Sequence, residues 1–203
     1  MSKLFEFDRG LSLACGGNIA GMDEAGRGPL AGPVVCAAAV MPMDFEIEGI
    51  DDSKALSPKV REKLYAEITA AALCYTVSVI DSDVIDSINI LQATKLGMQR
   101  CAEGLTVRPR RLIIDALDVA CGIETLPLTK ADATSYNVAA ASIIAKVTRD
   151  RLMEEFDEEF PGYLFAKHKG YGTREHIELL TRRGACPIHR RTFIKNFITP
   201  PSD

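Results

Sequence analysis

Ile19-Ala-Gly-Met-Asp-Glu-Ala-Gly-Arg-Gly-Pro-Leu-Ala-Gly-Pro33 decides how this chain is read. An apolar approach runs into two adjacent acids, Asp23 and Glu24, and then into the triplet Gly26, Arg27, Gly28. Pro29, Gly32 and Pro33 break the chain before a second apolar run, Val34 to Val40. Paired acids at a strand end can hold a hard divalent cation through oxygen. Glycines flanking an arginine let backbone N–H groups come close to a phosphate or sugar. The same residues would also suit a plain hairpin with a glycine-rich turn and solvated acids.

Working outward, residues 18–23 and 34–40 read as two strands joined by a short link, which favours an antiparallel hairpin. Asp51 to Pro58 is a polar loop carrying Lys54, and Ser57 with Pro58 predicts the start of a helix to about Ala72. Val60, Leu64 and Ile68 fall on one face of it. Cys74 to Ile80 predicts a third strand. A short helical turn over 81–89, a helix from Ile90 to about Glu103 and a C-cap at Gly104 come next. Leu112 to Asp115 is an apolar strand ending in a carboxylate, and residues 122–128 a last short strand. The helix and the longer links predict that part of the sheet is parallel. The fold class is therefore α/β, a five-stranded mixed sheet flanked by helices.

Ser135 or Thr134 can cap a long helix reaching toward Phe160, with Asp132 just outside its N-terminus. Ala139, Ala140, Ala141 and Ala145 would let that helix lie close against another element. Pro161 and Gly162 end it. Tyr171 then stands between two glycines beside Lys169, either as a stacking platform for a sugar or base or as a buried anchor. Thr173 caps a helix to Arg183, which Gly184 ends, and residues 199–203 are expected to fray. No linker divides the 203 residues, which are taken as one domain, with about 161–203 as a basic helical C-terminal extension.

Composition removes several function classes. The longest weakly polar run, Ala31 to Met43, is broken by Pro33 and Pro42 and is too short to cross a bilayer. The first residues carry acids where a signal peptide needs an apolar core, so a cytoplasmic protein is expected. The six cysteines show no Cys-x-x-Cys spacing and read as reduced thiols. None of the three histidines lies near the acid pair in sequence, which disfavours His-based chemistry. The glycine stretch lacks the Gly-Lys-Ser/Thr of a P-loop. Net charge is −4, yet residues 161–203 hold eight lysines and arginines against three acids. A basic segment beside an acidic body suits a protein that grips a polyanion with one face.

Acids at strand ends, Asp23, Glu24 and Asp115, and one at a helix start, Asp132, would repel one another unless cations neutralise them. Two Mg²⁺ about 3.5–4 Å apart, held by acids and a substrate phosphate, is the arrangement of in-line phosphodiester hydrolysis. Spacing alone does not choose these acids from twenty-eight.

Six ordered blocks resemble the bacterial ribonuclease HII family. They are residues 21–34, Asp52-Ser-Lys-Ala-Leu-Ser57, Ile114-Asp115, Lys130-Ala-Asp132 with 139–150, His168-Lys-Gly-Tyr-Gly-Thr173 and His189-Arg-Arg-Thr-Phe193. The resemblance implies a ribonuclease H-like fold. It implies a metal-dependent endonuclease that hydrolyses the RNA strand of RNA–DNA hybrids. It also implies cutting 5′ to single ribonucleotides embedded in duplex DNA, leaving 3′-hydroxyl and 5′-phosphate ends. By the same resemblance, Asp23, Glu24, Asp115 and Asp132 are the catalytic, metal-binding acids for Mg²⁺ or Mn²⁺. Gly26, Arg27 and Gly28 would read the ribose 2′-hydroxyl, the local group that separates RNA from DNA, and Tyr171 would pack on the neighbouring deoxyribose. Lys54 and the basic segment would hold phosphates.

Ala116 and Ala131 depart from the glycines expected beside the third and fourth acids, which bears on the metal geometry. No Gln-led apolar and aromatic box of the sliding-clamp kind occurs near the C-terminus, so no such anchor is expected; separately, a monomer is expected. Because strand neighbours point to opposite faces, the first strand is expected to end or bulge at the acid pair. Asp23 would then lie between two metals and Glu24 would contribute peripherally. The competing readings are a non-catalytic protein that holds hybrid duplexes and another nuclease of the same fold.

Overall fold

The structure, a computed structural model, describes residues 1–50, 56–115 and 119–198. Lys54 with the rest of 51–55, Ala116, and the tail from Thr199 lie outside the described residues. Five strands form one sheet: β1 (Ile19–Ala25), β2 (Val34–Val40), β3 (Cys74–Ile80), β4 (Arg111–Asp115) and β5 (Glu124–Leu128), in the spatial order β3-β2-β1-β4-β5. The β1–β2 and β2–β3 pairs are antiparallel, while β1–β4 and β4–β5 are parallel. The mixed sheet flanked by helices, with short helices closing the C-terminal side, is the architecture the sequence predicts.

Strand β2 is apolar at every position because both faces of the sheet are covered. Val35, Ala37 and Ala39 pack in one core with Ala140, Ile143 and Ile144 of α4 (Tyr136–Glu159) and with Leu64 and Ile68 of α2 (Pro58–Ala71). Cys36, Ala38 and Val40 pack in a second core with Met98 and Cys101 of α3 (Ser82–Gly104). Helix α4 begins where Ser135 accepts from the Val138 N–H, and its first three turns are buried all round. It lies on β1 with backbone against backbone. A Cβ on Gly21 would stand 2.1 Å from the Val138 nitrogen, so only glycine admits this approach.

Four local readings change. Residues 3–15, to which the sequence assigned no element, form α1 (Lys3–Cys15), capped by Ser2. Val60 is 41% exposed, since α2 buries only Leu64 and Ile68. Gly104 is the last residue of α3, not a left-handed cap, and Leu105 follows in extended conformation. The break read near residue 89 is a kink at Asn89, where φ is 65° and the side chain accepts from the Gln92 N–H. Three short helices, α5 (Phe165–His168), α6 (Arg174–Arg183) and α7 (Arg191–Ile194), follow among the described residues. No helix among the described residues is long and apolar enough to cross a membrane.

Candidate active site

The site grows from strand parity. Met22 packs toward α3, and Gly21 lies against α4, so Asp23 emerges on the α4 face and Glu24 on the other. On that face the Ser142 hydroxyl donates to the Asp23 carboxylate. Glu24 instead faces Cys36, whose thiol is pushed up mainly by burial and further by the Glu24 charge. Glu24 is also 3.3 Å from the guanidinium of Arg27. The expected break at the acid pair is absent. β1 keeps regular register through Asp23↔Ala37, Glu24↔Cys36 and Ala25↔Val35. The chain turns only at Gly26, where φ is 97°. A glycine takes that angle without strain, so the strand need not end earlier.

Parallel pairing brings the third acid in. Met22 is opposite Ile114, so β1 and β4 run to the same sheet edge and Asp115 ends one residue beyond that rung. Asp132 is buried in a 3-10 turn, Ala131–Ala133, just before α4. The methyl of Ala131 sits in a core with Ile19, Ile113 and Val138, and the left-handed conformation falls on Lys130 instead, at φ 56°. Alanine at 131 is thus accommodated without a backbone change of its own.

One cleft of about 320 Å³ is lined by Asp23, Glu24, Asp115, Gly26, Arg27, Gly28, Tyr171, Ser142 and Lys146. Asp132 does not line it but acts on Asp23 through its charge. A larger groove of about 520 Å³ beside α3 is lined by Gln92, Lys95 and Gln99 with apolar neighbours and offers no carboxylate among the described residues.

Burial pushes the Asp23 carboxyl up to about 7, and the charges of Glu24 and then Asp132 push the same way, against the Ser142 hydrogen bond. Crowded anions of this kind favour a hard cation, and oxygen donors suit Mg²⁺ or Mn²⁺. Among the described residues no three His, Cys, Asp or Glu side chains already stand close enough together to hold a metal ion. The donor chemistry fits, and the acids would have to draw together around the cation.

The turn after β1 is braced from inside. Arg190, fully buried, donates to the carbonyls of Gly26, Arg27 and Gly32 at 2.6, 2.9 and 2.9 Å. Arg149, also buried, donates to Pro33, Lys169 and Ala31 at 3.0, 3.0 and 3.2 Å. With the Gly26 and Arg27 carbonyls drawn inward, the planar trans peptides turn the N–H groups of Arg27 and Gly28 away from Arg190. A Cβ on Gly26 would collide with the Arg149 side chain, whereas one on Gly28 would meet nothing within 4 Å. Gly28 therefore leaves open space where a ligand backbone can approach.

Tyr171 is 45% exposed at the cleft wall, with the Arg149 guanidinium 5.8 Å from its ring centre, so it is not a buried anchor. The basic segment is less available than its charge count predicts. Arg190 is interior, and Lys167, Lys169 and Arg174 are paired with Glu175, Glu154 and Glu178. Ser142 and Lys146, one helical turn apart on α4, line the cleft and were not singled out as site residues by sequence. Their i, i+4 spacing was the available signal. Lys146 pairs with Asp150 at 2.6 Å.

The sequence model of the Ribonuclease HII family matches residues 20–196. Ribonuclease HII of Ruminiclostridium cellulolyticum is 50% identical over 200 residues, 98% of this chain and 78% of that protein. Ribonuclease HII of Acetivibrio thermocellus is 51% identical over 193 residues, 95% of this chain and 73% of that protein. Among solved structures, the ribonuclease H2 of Pyrococcus horikoshii superposes with a TM-score of 0.74 at 30% identity, covering 86% of this chain and 93% of that one. The Archaeoglobus fulgidus RNase HII, determined in complex with PCNA, gives 0.75 at 28% identity, covering 88% and 96%.

Proposed function

We infer the function from one premise: the chain belongs to the ribonuclease HII family and is an enzyme of that type. Its activity class is endonucleolytic, on RNA–DNA hybrids. Beyond that class, we propose that it also cuts 5′ to a single ribonucleotide embedded in duplex DNA. The observation that carries this reading is the shared cleft. Acids, the Gly26-Arg27-Gly28 triplet and exposed Tyr171 border one space of about 320 Å³.

In this reading Asp23, Glu24, Asp115 and Asp132 would hold Mg²⁺ or Mn²⁺, which when bound supply Lewis-acid stabilisation of phosphodiester oxygens and acidify water. Ser142 orients the Asp23 carboxylate. The inward-drawn carbonyls of Gly26, Arg27 and Gly32 fix the turn whose N–H groups donate to the ribose 2′-hydroxyl oxygen. Tyr171 packs on the next deoxyribose and selects the RNA–DNA junction. Water adds at phosphorus and the P–O3′ bond breaks, so the upstream strand keeps a 3′-hydroxyl and the downstream strand a 5′-phosphate. Lys146, at the cleft rim, is placed to meet a phosphate.

The same proposal takes residues 1–203 as one domain, monomeric and cytoplasmic. It also holds that residues 161–203, which contain no glutamine, carry no sliding-clamp anchor. The testing experiment incubates the protein with a duplex carrying one ribonucleotide, with and without divalent metal, and maps the cut. A cut on the 5′ side of the ribonucleotide, with an all-DNA duplex left intact, is expected. Comparable cutting of the all-DNA duplex would point to a general nuclease of this fold.

A further inference from the structure

The three histidines, remote from the acids in sequence, meet behind the Tyr171 loop. His168 and His176 are stacked with ring centres 4.3 Å apart, and Phe165 packs edge-on against both. His176 and His189 face each other Nε2 to Nε2 at 3.1 Å. His176 Nδ1 lies 2.9 Å from the carbonyl oxygen of Tyr171.

The proton positions follow from what each partner can do. The Cys186 backbone N–H can only donate, and it does so to His189 Nδ1 at 3.0 Å. His189 therefore carries its proton on Nε2 and donates it to His176 Nε2. His176 Nε2 is then the acceptor, so its proton lies on Nδ1 and is donated to the Tyr171 carbonyl, which can only accept. The chain Cys186 N–H → His189 → His176 → Tyr171 C=O is consistent at every link with neutral rings. His168 is fixed independently: its Nδ1 accepts from the Gly170 N–H and its Nε2 donates to the Tyr163 carbonyl. Burial pushes all three imidazoles down, His189 to about 4, which agrees with neutral rings at physiological pH.

We propose that His189 and His176 are positioning residues for Tyr171: the two-ring relay holds the Tyr171 carbonyl, which also accepts from the Thr173 N–H at 2.8 Å, and so sets the place where the phenol stands over the cleft. The relay starts at Cys186, four residues before Arg190, which braces Gly26 and Arg27. One C-terminal segment thereby sets both the turn after β1 and the tyrosine opposite it. This rests on reading Tyr171 as a substrate contact.

The test is a mutant cycle read on cleavage at a single embedded ribonucleotide, with circular dichroism confirming each fold. His176→Leu should lower the rate roughly tenfold, the order expected from losing one positioning hydrogen bond. His176→Asn, whose amide can stand in for Nδ1–H, should recover most of it. In a Tyr171→Ala background, His176→Leu should add nothing. An equal further loss in that background, or His176→Asn as impaired as His176→Leu, overturns the proposal. A Tyr171→Ala variant with unchanged junction cleavage would defeat the substrate-contact reading instead. In that event ¹⁵N imidazole NMR decides the relay: the Nδ1–H form of His176 upholds it and the Nε2–H form overturns it.

Discussion

The guanidinium of Arg190 donates to the carbonyl oxygen of Gly26 at 2.6 Å, joining positions 164 residues apart. Two further bonds, to Arg27 and Gly32, make this side chain a bracket for the turn that follows β1. Arg190→Lys leaves one compact ammonium where a planar fork served three carbonyls. It is expected to lower stability by about 2–3 kcal/mol, the cost of leaving buried acceptors unpaired, and to weaken discrimination between ribonucleotide and DNA sites. Urea denaturation and cleavage of matched substrates check both. A stable variant with unchanged discrimination would show that the turn holds its shape without the bracket.

Asp8 of α1 predicts a pH dependence. Its buried carboxylate accepts from Ser135 Oγ and from the backbone and side-chain nitrogens of Asn137, while its Oδ1 has no hydrogen-bond partner among the described residues. Burial outweighs those bonds and raises it from 3.8 to about 6. A carboxyl raised on folding favours the fold fully below its unfolded value and less as pH climbs through its folded value. Stability from this group should therefore fall between about pH 4 and 6, by on the order of 2–3 kcal/mol. Asp8→Asn should flatten that part of the stability–pH curve measured by urea titration.

Gly21→Ala tests the contact between β1 and α4. The added methyl would lie 2.1 Å from the Val138 nitrogen and 2.2 Å from the Asn137 carbonyl carbon, both backbone atoms that cannot swing aside. A destabilisation of about 3 kcal/mol or more is expected, with Ser142 displaced from Asp23. Denaturant midpoints should show the first, and lost activity in the remaining folded protein the second.

Strands β2 and β3 were legible because small, β-branched runs lie between prolines and turns, and their boundaries needed no tertiary information. Helix α1 was not, because it buries only Phe5 and Asp8, and an aspartate on the inner face is no core signal. The acids, glycines and Tyr171 were reachable through the six blocks. Arg149 and Arg190 were not reachable as braces. Arginine usually reads as surface, and their partners are carbonyls that carry no side-chain code. Likewise the spacing of Ser142 and Lys146 gave a shared helical face, but only the Gly21 contact turns that face toward Asp23.

Metal binding should show without catalysis. If Asp23 is a ligand, saturating Mg²⁺ or Mn²⁺ at about a hundred times its dissociation constant should raise the melting temperature by roughly 5–10 °C. Asp23→Asn should lose most of that shift while melting at a similar temperature in chelator. Equal shifts in both proteins would place the cation elsewhere.

The most direct measurement maps the cut in a DNA duplex carrying one ribonucleotide, using the native protein and Asp23→Asn side by side. The native protein with Mg²⁺ or Mn²⁺ should cut on the 5′ side of the ribonucleotide, leaving 3′-hydroxyl and 5′-phosphate ends, and should not cut in chelator. Asp23→Asn should not cut at all. Full cleavage by Asp23→Asn, or a metal-independent cut by the native protein, would contradict the assignment of this cleft as the catalytic site.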